Sequence, residues 1–285
     1  MRRFRMVTIV KPARNRLAPG ESGRLAVPCA GGDRLSNAYQ GTSMSATLGG
    51  TPVIRSSTDN QNRVYKNDGN RPLMALLDGG VQQVLDVGCG AGDNAELVRS
   101  RIPGCQVHGV THSTAEAELA RLRMMSCSVW DIEGDIPAEF SVMRFDAIIF
   151  SHVLEHMRNP DMVLRKFSRL LKNGGTVLIA VPNALSWAMR WRFLRGDFEY
   201  RSEGVLDDTH LRFFTYRTAE VYLLGKCPEF KLTSKGVTGS VPLWWFGRYL
   251  LPKKASELID RLGCRLWPNL FGTQILLEAV YNQSN

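Results

Sequence analysis

The 285-residue chain has no apolar run near the ~20 residues that a bilayer-spanning helix needs. Its longest greasy stretch, Val241 to Leu251, is broken by Pro242, Gly247 and Arg248. Such a stretch suits a membrane surface but not a crossing. The start, MRRFRMVTIVKPAR, is basic but lacks the apolar core of a secretory signal. Its weak apolar face also fits a transit peptide poorly. The six cysteines, Cys29, Cys89, Cys105, Cys127, Cys227 and Cys264, include no C-x-x-C pair. That excludes a cysteine-rich zinc module and a small secreted disulfide framework, and the expected compartment is a reducing cytoplasm. No internal repeat is found.

Acidic residues are scarce only at one end. Residues 1–58 carry nine Arg or Lys against Glu21 and Asp33, so most of the net charge of +9 lies there. The remainder is nearly neutral, which argues against a phosphate-binding body and against a nucleic-acid partner. Residues 1–58 are rich in Gly, Ser, Pro, Thr and Arg and read as a flexible basic extension. With 44% hydrophobic and 22% charged residues, the rest suits a globular domain over 59–285.

Within that domain, Arg71–Pro72–Leu73 opens a short helix that Asp78–Gly79–Gly80 ends. Short apolar runs then alternate with helical stretches. The runs are 84–87, 106–110, 127–130, 145–150 and 176–181; the stretches lie near 92–101, 114–124 and 160–172. The last has Asn159 at its cap, Pro160 at its first position and Asn173–Gly174–Gly175 as its stop. Strand, helix, strand in this rhythm implies a doubly wound α/β fold, a mostly parallel sheet with helices on both faces. Ligands of such sheets bind beyond the carboxyl ends of the strands. Further on, Trp187, Trp191 and Leu194 share a helix face, a helix is expected near 216–225, and strands at 230–237 and 273–281. Segments 183–229 and 238–270 are candidate lid or substrate elements.

The first strand runs into Asp86–Val87–Gly88–Cys89–Gly90–Ala91–Gly92. Glycines there let the backbone turn sharply and approach a ligand, and the next helix points its free amides at it. The spacing is G-x-G-x-G rather than the G-x-G-x-x-G of dinucleotide folds. Read in full, Val84 to Gly92 resembles motif I of class I S-adenosylmethionine-dependent methyltransferases. Phe145–Asp146–Ala147–Ile148–Ile149–Phe150 with Ser151–His152–Val153–Leu154–Glu155–His156 resembles their fourth strand and following turn. Leu170 to Gly175, followed by Val177 to Val181, resembles the lead into their fifth strand. The block Asp207–Asp208–Thr209–His210–Leu211–Arg212–Phe213–Phe214–Thr215 resembles a signature of bacterial enzymes in the ubiquinone-type methyltransferase superfamily, often encoded near surface-glycan genes.

That resemblance, over about residues 60–281, implies a Rossmann-like sheet with an antiparallel C-terminal strand and S-adenosylmethionine as cofactor. It also implies roles. Gly88, Gly90 and Gly92 would line the methionine part of the cofactor, with Asp86 orienting the loop and the amine. Asp131 would accept from the adenine amino group and Ile132 would pack on the ring. Ser151 and His152 would flank the sulfonium and the substrate. One position departs: Thr111 stands where most such enzymes carry the acid that binds both ribose hydroxyls. A lost charged contact is worth about 1.5–3 kcal/mol. Some methyltransferases similar to cyclopropane-fatty-acid synthases carry the same Gly-Val-Thr string and still work. Glu116 or Glu118 stands near enough to compensate, but both read as surface helix charges.

His152–Val153–Leu154–Glu155–His156 also matches the H-x-x-E-H of a zinc protease class. The run directly follows a buried strand, so Glu155 and His156 read as braces of the loop and no metal ligand is assigned; the alternative is a divalent metal, which some related O-methyltransferases hold at this place with acidic residues. Methyl transfer to oxygen needs positioning first and a base second. His210 is the first candidate base and His152 the second; the competing reading of His210 is a structural histidine bonded to Asp207 or Asp208. Arg190, Arg192, Arg195, Arg201 and Arg212 could hold an acidic group on the substrate. Residues 241–254, with Trp244–Trp245–Phe246 and flanking lysines, suit peripheral membrane contact or a core helix.

The expected function is methyl transfer to an oxygen of a small molecule: a glycan, a glycan precursor or a quinone-like metabolite. Base methylation is disfavoured, since no Asn/Asp-Pro-Pro-aromatic string or Pro-Cys pair follows the fourth strand. A dinucleotide oxidoreductase is disfavoured by the glycine spacing and by Thr111. The alternative of another class is a methyltransferase-like scaffold that no longer catalyses.

Overall fold

A computed structural model describes residues 68–242 and 252–283 in full, and the backbone of strand β1 (Thr8–Val10). Seven more strands complete one sheet: β2 (Gln83–Val87), β3 (Gln106–Thr111), β4 (Ser126–Val129), β5 (Phe145–Ser151), β6 (Leu171–Pro182), β7 (Phe230–Gly239) and β8 (Gly272–Tyr281). Their order is β1-β7-β8-β6-β5-β2-β3-β4. Strands β2 to β6 pair in parallel, whereas β8 runs against both β6 and β7. The expected mostly parallel sheet with an antiparallel C-terminal strand is thus present. Strand β1 adds an antiparallel edge on β7 from within the segment read as an extension; the rest of 1–58 lies outside the described residues.

The helices are α1 (Arg71–Met74), α2 (Asp93–Arg101), α3 (Thr114–Ala120), α4 (Ala138–Ser141), α5 (Pro160–Ser168), α6 (Trp187–Leu194), α7 (Thr218–Leu223), α8 (Lys253–Leu266) and α9 (Pro268–Phe271). Strand side chains alternate between faces, and each face carries its own core. Val84, Ala147 and Ile149 meet Leu73, Ala95, Val98 and Ala117 on one side. Leu85, Val87, Ile148 and Phe150 meet Val163, Leu164, Phe167 and Leu223 on the other. Both faces of the central strands are therefore dry, as continuous apolar runs require.

One expected boundary moves. The helix read as 160–172 ends at Ser168, and the Asn173–Gly174–Gly175 stop lies inside β6. Leu171 already pairs with Phe145, and the register slips before Ala147 meets Thr176, so the glycines form a bulge. Gly175 is needed there because a Cβ would stand 2.8 Å from the Lys172 carbonyl oxygen. Asn159 does sit at the start of α5, but its side chain makes no capping bond. Residues 243–251, the centre of the expected membrane-contact segment, lie outside the described residues. No helix among the described residues is long and apolar enough to cross a membrane.

The chain runs from β2 outward to β3 and β4, then returns to place β5 on the other flank of β2. The crevice beyond the carboxyl ends of β2 and β5 is the switch point where sheets of this kind bind ligands.

Candidate active site

Asp86 is fully buried near the end of β2. Burial pushes its carboxyl up to about 7, against the pull of the Asn94 amide, which donates to it at 3.2 Å. The loop that follows is pinned to β3, because the amides of Gly88 and Cys89 both donate to the Val110 carbonyl, at 2.8 and 2.9 Å. Gly88, Gly90 and Gly92 take φ of 72, 54 and 86°. At Gly88 the requirement is also steric: a Cβ would lie 2.4 Å from Val153 Cγ2. The glycine loop thus packs directly against the turn after β5.

At the end of β3, Thr111 is buried and donates through Oγ1 to Glu116 Oε2 at 2.7 Å. Ser113 caps α3 by accepting from the Glu116 amide, turning the first turn of the helix under the strand end. Glu116 is 3% exposed, so its reading as a surface helix charge is corrected; Glu118 does lie on the surface. A buried helix carboxylate thus stands one hydrogen bond from the strand end. Beyond β4, Asp131 is exposed and its Oδ1 accepts from the Glu133 amide at 2.9 Å, which shapes the turn. Ile132 is buried against the core.

Ser151 ends β5, and its hydroxyl accepts from Asn70 Nδ2 at 3.2 Å. His152 follows with φ 57°, the one positive φ at a described non-glycine residue. That backbone strain is held by both ring nitrogens: Nδ1 lies 3.2 Å from Glu155 Oε1 and Nε2 2.9 Å from Gln274 Oε1. Both ring nitrogens are thus engaged within the chain. Burial pushes its pKa down, but the Glu155 carboxylate more than offsets this and holds it above the ordinary value. A ring held at both nitrogens suits a positioning role for His152 better than that of a base.

His210 is reached across the fold. The amides of Leu211 and Arg212 both donate to the Glu155 carbonyl at 2.9 Å, which clamps the histidine block on the turn after β5. His210 Nδ1 donates to the Val205 carbonyl at 3.0 Å, and Nε2 faces Glu155 Oε1 at 4.0 Å. His210 bonds neither Asp207 nor Asp208 by its side chain. Asp207 is engaged instead by Thr209, whose hydroxyl donates to it at 2.5 Å. His156 stands edge-on to His210 with ring centroids 4.6 Å apart.

Sequence reasoning missed Asn70, Asn94 and Gln274. Asn94 Oδ1 accepts from the Asn70 amide at 2.8 Å, and Asn70 Nδ2 donates to Gln274 Oε1 at 3.0 Å. A continuous polar chain thereby runs from Asp86 through Asn94, Asn70 and Gln274 to His152 and Glu155. Asn70 carried a local signal, since it stands just before Arg71–Pro72 and caps α1; Gln274, on an antiparallel strand, carried none. Four of the five lid arginines, Arg190, Arg192, Arg201 and Arg212, are engaged within the chain. Arg192 is bidentate to Asp197 at 2.7 and 2.9 Å, and Arg212 and Arg190 donate to backbone carbonyls.

A glycine loop at the switch point, an acid beneath it and a carboxylate at the neighbouring strand end define the cofactor side of the class I methyltransferase architecture. The family model of the methyltransferase domain matches residues 59–223, more than half of the sequence, and the chain belongs to that family. It is 31% identical over 163 residues to the ubiquinone biosynthesis O-methyltransferase of Proteus mirabilis, covering 55% of this chain and 64% of that protein. It is 34% identical over 106 residues to the enzyme of the same name from Alkalilimnicola ehrlichii, covering 36% and 42%. The chain thus matches less than two thirds of the length of these relatives. Its fold is similar to a methyltransferase from Haloferax volcanii solved in complex with the Trm112 methyltransferase activator (TM-score 0.50, 16% identity, 74% of this chain and 88% of that one).

Proposed function

We propose that the protein transfers the methyl group of S-adenosylmethionine to an oxygen of a small hydroxylated molecule, such as a glycan, a glycan precursor or a quinone-like metabolite. The observation that carries this reading is the left-handed glycine loop at the end of β2, packed so closely on the turn after β5 that Gly88 tolerates no Cβ, beside the buried acid Asp86. The residues present fit that cofactor. Gly88, Gly90 and Gly92 would border its methionine part, Asp86 its amine, and Glu116 acting through Thr111 its ribose. Asp131 and Ile132 would border the adenine.

When bound, the cofactor supplies an electrophilic methyl carbon on a sulfonium, which an acceptor oxygen attacks in line as the carbon–sulfur bond breaks. The chain's own work is positioning. Ser151 and His152 border the acceptor, and His152 positions it rather than acting as a base. His210 takes the acceptor's hydroxyl proton on Nε2, the nitrogen not held by Val205.

The test is transfer of labelled methyl from S-adenosylmethionine to a panel of phenols and hydroxylated glycans. Transfer to at least one oxygen, lowered about 10²–10⁴-fold by His210→Ala, supports the reading. Cofactor binding with methyl found only on nitrogen overturns the choice of oxygen. Failure to bind the cofactor moves the scaffold reading to first place.

A further inference from the structure

Cys89 lies in the glycine loop between Gly88 and Gly90, and Cys127 lies on β4, 38 positions further along the chain. Their sulfurs stand 3.6 Å apart, in a contact buried from solvent, and both thiols are free. The sheet brings them together. Cys127 pairs with Gly109 of β3, so its side chain leaves the sheet on the face where a Gly109 side chain would stand. Gly109 has none, and the Cys89 sulfur fills the space. A Cβ there would lie 2.7 Å from Cys89 Sγ and 2.6 Å from Met124 Sδ. Gly109 takes no left-handed φ, so the position asks for glycine to make room for the thiol rather than to turn the chain. The Cys89 amide donates to the Val110 carbonyl, which holds the loop over β3. On its other side the loop meets solvent, since Gly88 is exposed and Gly90 half-buried. A small oxidant in the crevice is thus one residue away from the pair. Contact with Cys89 and, more weakly, the Arg121 guanidinium hold the Cys127 thiol below its ordinary value, against its burial. Cys127 therefore ionises first, and the thiolate is the reactive form of cysteine.

We propose that Cys89 and Cys127 are an oxidative modification site, at which a peroxide forms a disulfide that shuts the cofactor side of the crevice. The Cys127 thiolate attacks one peroxide oxygen, the O–O bond breaks, and a sulfenic acid forms while the other oxygen leaves as water after taking up a proton. The Cys89 sulfur then attacks the sulfenic sulfur, the S–S bond forms, and a second water leaves. The two sulfurs lose two electrons and the two peroxide oxygens gain them. Exchange with an external dithiol reverses the bond. To form it, the sulfurs must close from 3.6 Å to about 2.05 Å. The loop cannot follow freely. Its Gly88 and Cys89 amides are both tied to Val110, and Gly88 abuts Val153 with no space for a Cβ. Drawing Cys89 toward β4 therefore displaces Gly88 and Gly90, which would border the methionine part of the cofactor. That consequence rests on the methyl-transfer reading; the oxidation does not.

The experiment uses the full chain, reduced, desalted and treated with hydrogen peroxide. Samples are unfolded, alkylated and digested for peptide mass spectrometry, and in parallel titrated with S-adenosylmethionine by calorimetry. A peptide linked through Cys89 and Cys127 is expected, with S-adenosylmethionine weakened at least tenfold and restored by dithiothreitol. Recovery with a dithiol separates this effect from methionine oxidation, which needs a dedicated reductase. Cys127→Ser should bind S-adenosylmethionine when reduced and keep that affinity after peroxide, whereas Cys105→Ala should stay sensitive. The linked peptide from the unmodified protein keeps the test valid if a variant fails to fold. Absence of that peptide from folded, peroxide-treated protein overturns the proposal, as does a linked pair with unchanged affinity. If the pair links but the reduced protein binds no S-adenosylmethionine, the modification stands and the methyl-transfer reading falls. If the reduced protein binds and no link forms, the reverse holds.

Discussion

Asp86 and Glu116 are the two acids beneath the cofactor side of the crevice, and neither is exposed enough to be solvated. Ionising Asp86 is costly in the ligand-free fold, since burial lifts its carboxyl from 3.8 to about 7. An acid with a raised folded pKa burdens the fold once it ionises. The free protein is thus expected to lose stability as pH rises from about 4 to about 7, and Asp86→Asn to remove that slope in thermal melts. A cofactor ammonium reverses the balance, because it favours the carboxylate. Affinity for S-adenosylmethionine should therefore rise between about pH 6 and about pH 7.5 and stay flat in Asp86→Asn; flat binding in the unmodified protein contradicts the assignment of Asp86. Glu116 is the second test at this scale. Glu116→Gln should weaken S-adenosylmethionine by about tenfold or more, the lower end of what a charged hydrogen bond contributes. Unchanged affinity with an unchanged melt would leave Glu116 with a structural task only. The sequence placed Thr111 at the right point but not Glu116, because helical spacing does not tell which carboxylate of a first turn is drawn under the neighbouring strand.

Elements with a strong apolar rhythm were legible from the chain alone. Strands β2, β3 and β5 and helix α2 fall within a residue of their expected bounds. Their interiors are buried on both faces, and Gly or Pro marks several of their ends. The start of β6 was not legible. Asn173–Gly174–Gly175 has the composition of a helix stop, yet pairing of Leu171 with Phe145 draws it into the sheet as a bulge. Gly175→Ala should therefore destabilise the fold by about 1–3 kcal/mol in denaturant unfolding, through crowding of the Lys172 carbonyl. A change within a few tenths would contradict the tightness of that bulge. The polar chain from Asp86 to Glu155 joins α1, α2, β8 and the turn after β5, elements up to 204 residues apart. No local pattern reports such a path. Gln274 receives both Asn70 and His152 in it, so Gln274→Ala should lower kcat/KM for the acceptor while changing cofactor affinity by about twofold or less. Equal losses in both would mean that Gln274 supports the whole crevice rather than its acceptor side.

At the scale of the whole molecule, every residue expected to touch the cofactor lies at or beyond the carboxyl end of a parallel strand, around the point where the strand order turns. The sheet brings to one crevice a glycine loop, a strand-end threonine with its helix carboxylate, and a histidine cluster assembled from positions 152 to 210. The cofactor half of this arrangement was legible as a string of motifs, because its parts are local. The acceptor half depends on contacts across more than fifty residues, and its substrate is set by lid segments that the fold class leaves free to vary. The claim on which the rest depends is that this crevice binds S-adenosylmethionine. Its most direct measurement is a calorimetric titration of the purified full chain with S-adenosylmethionine and, separately, NADH. The account predicts micromolar binding of the former at one site per chain and none of the latter; binding of neither, by a protein shown to be folded, would contradict it.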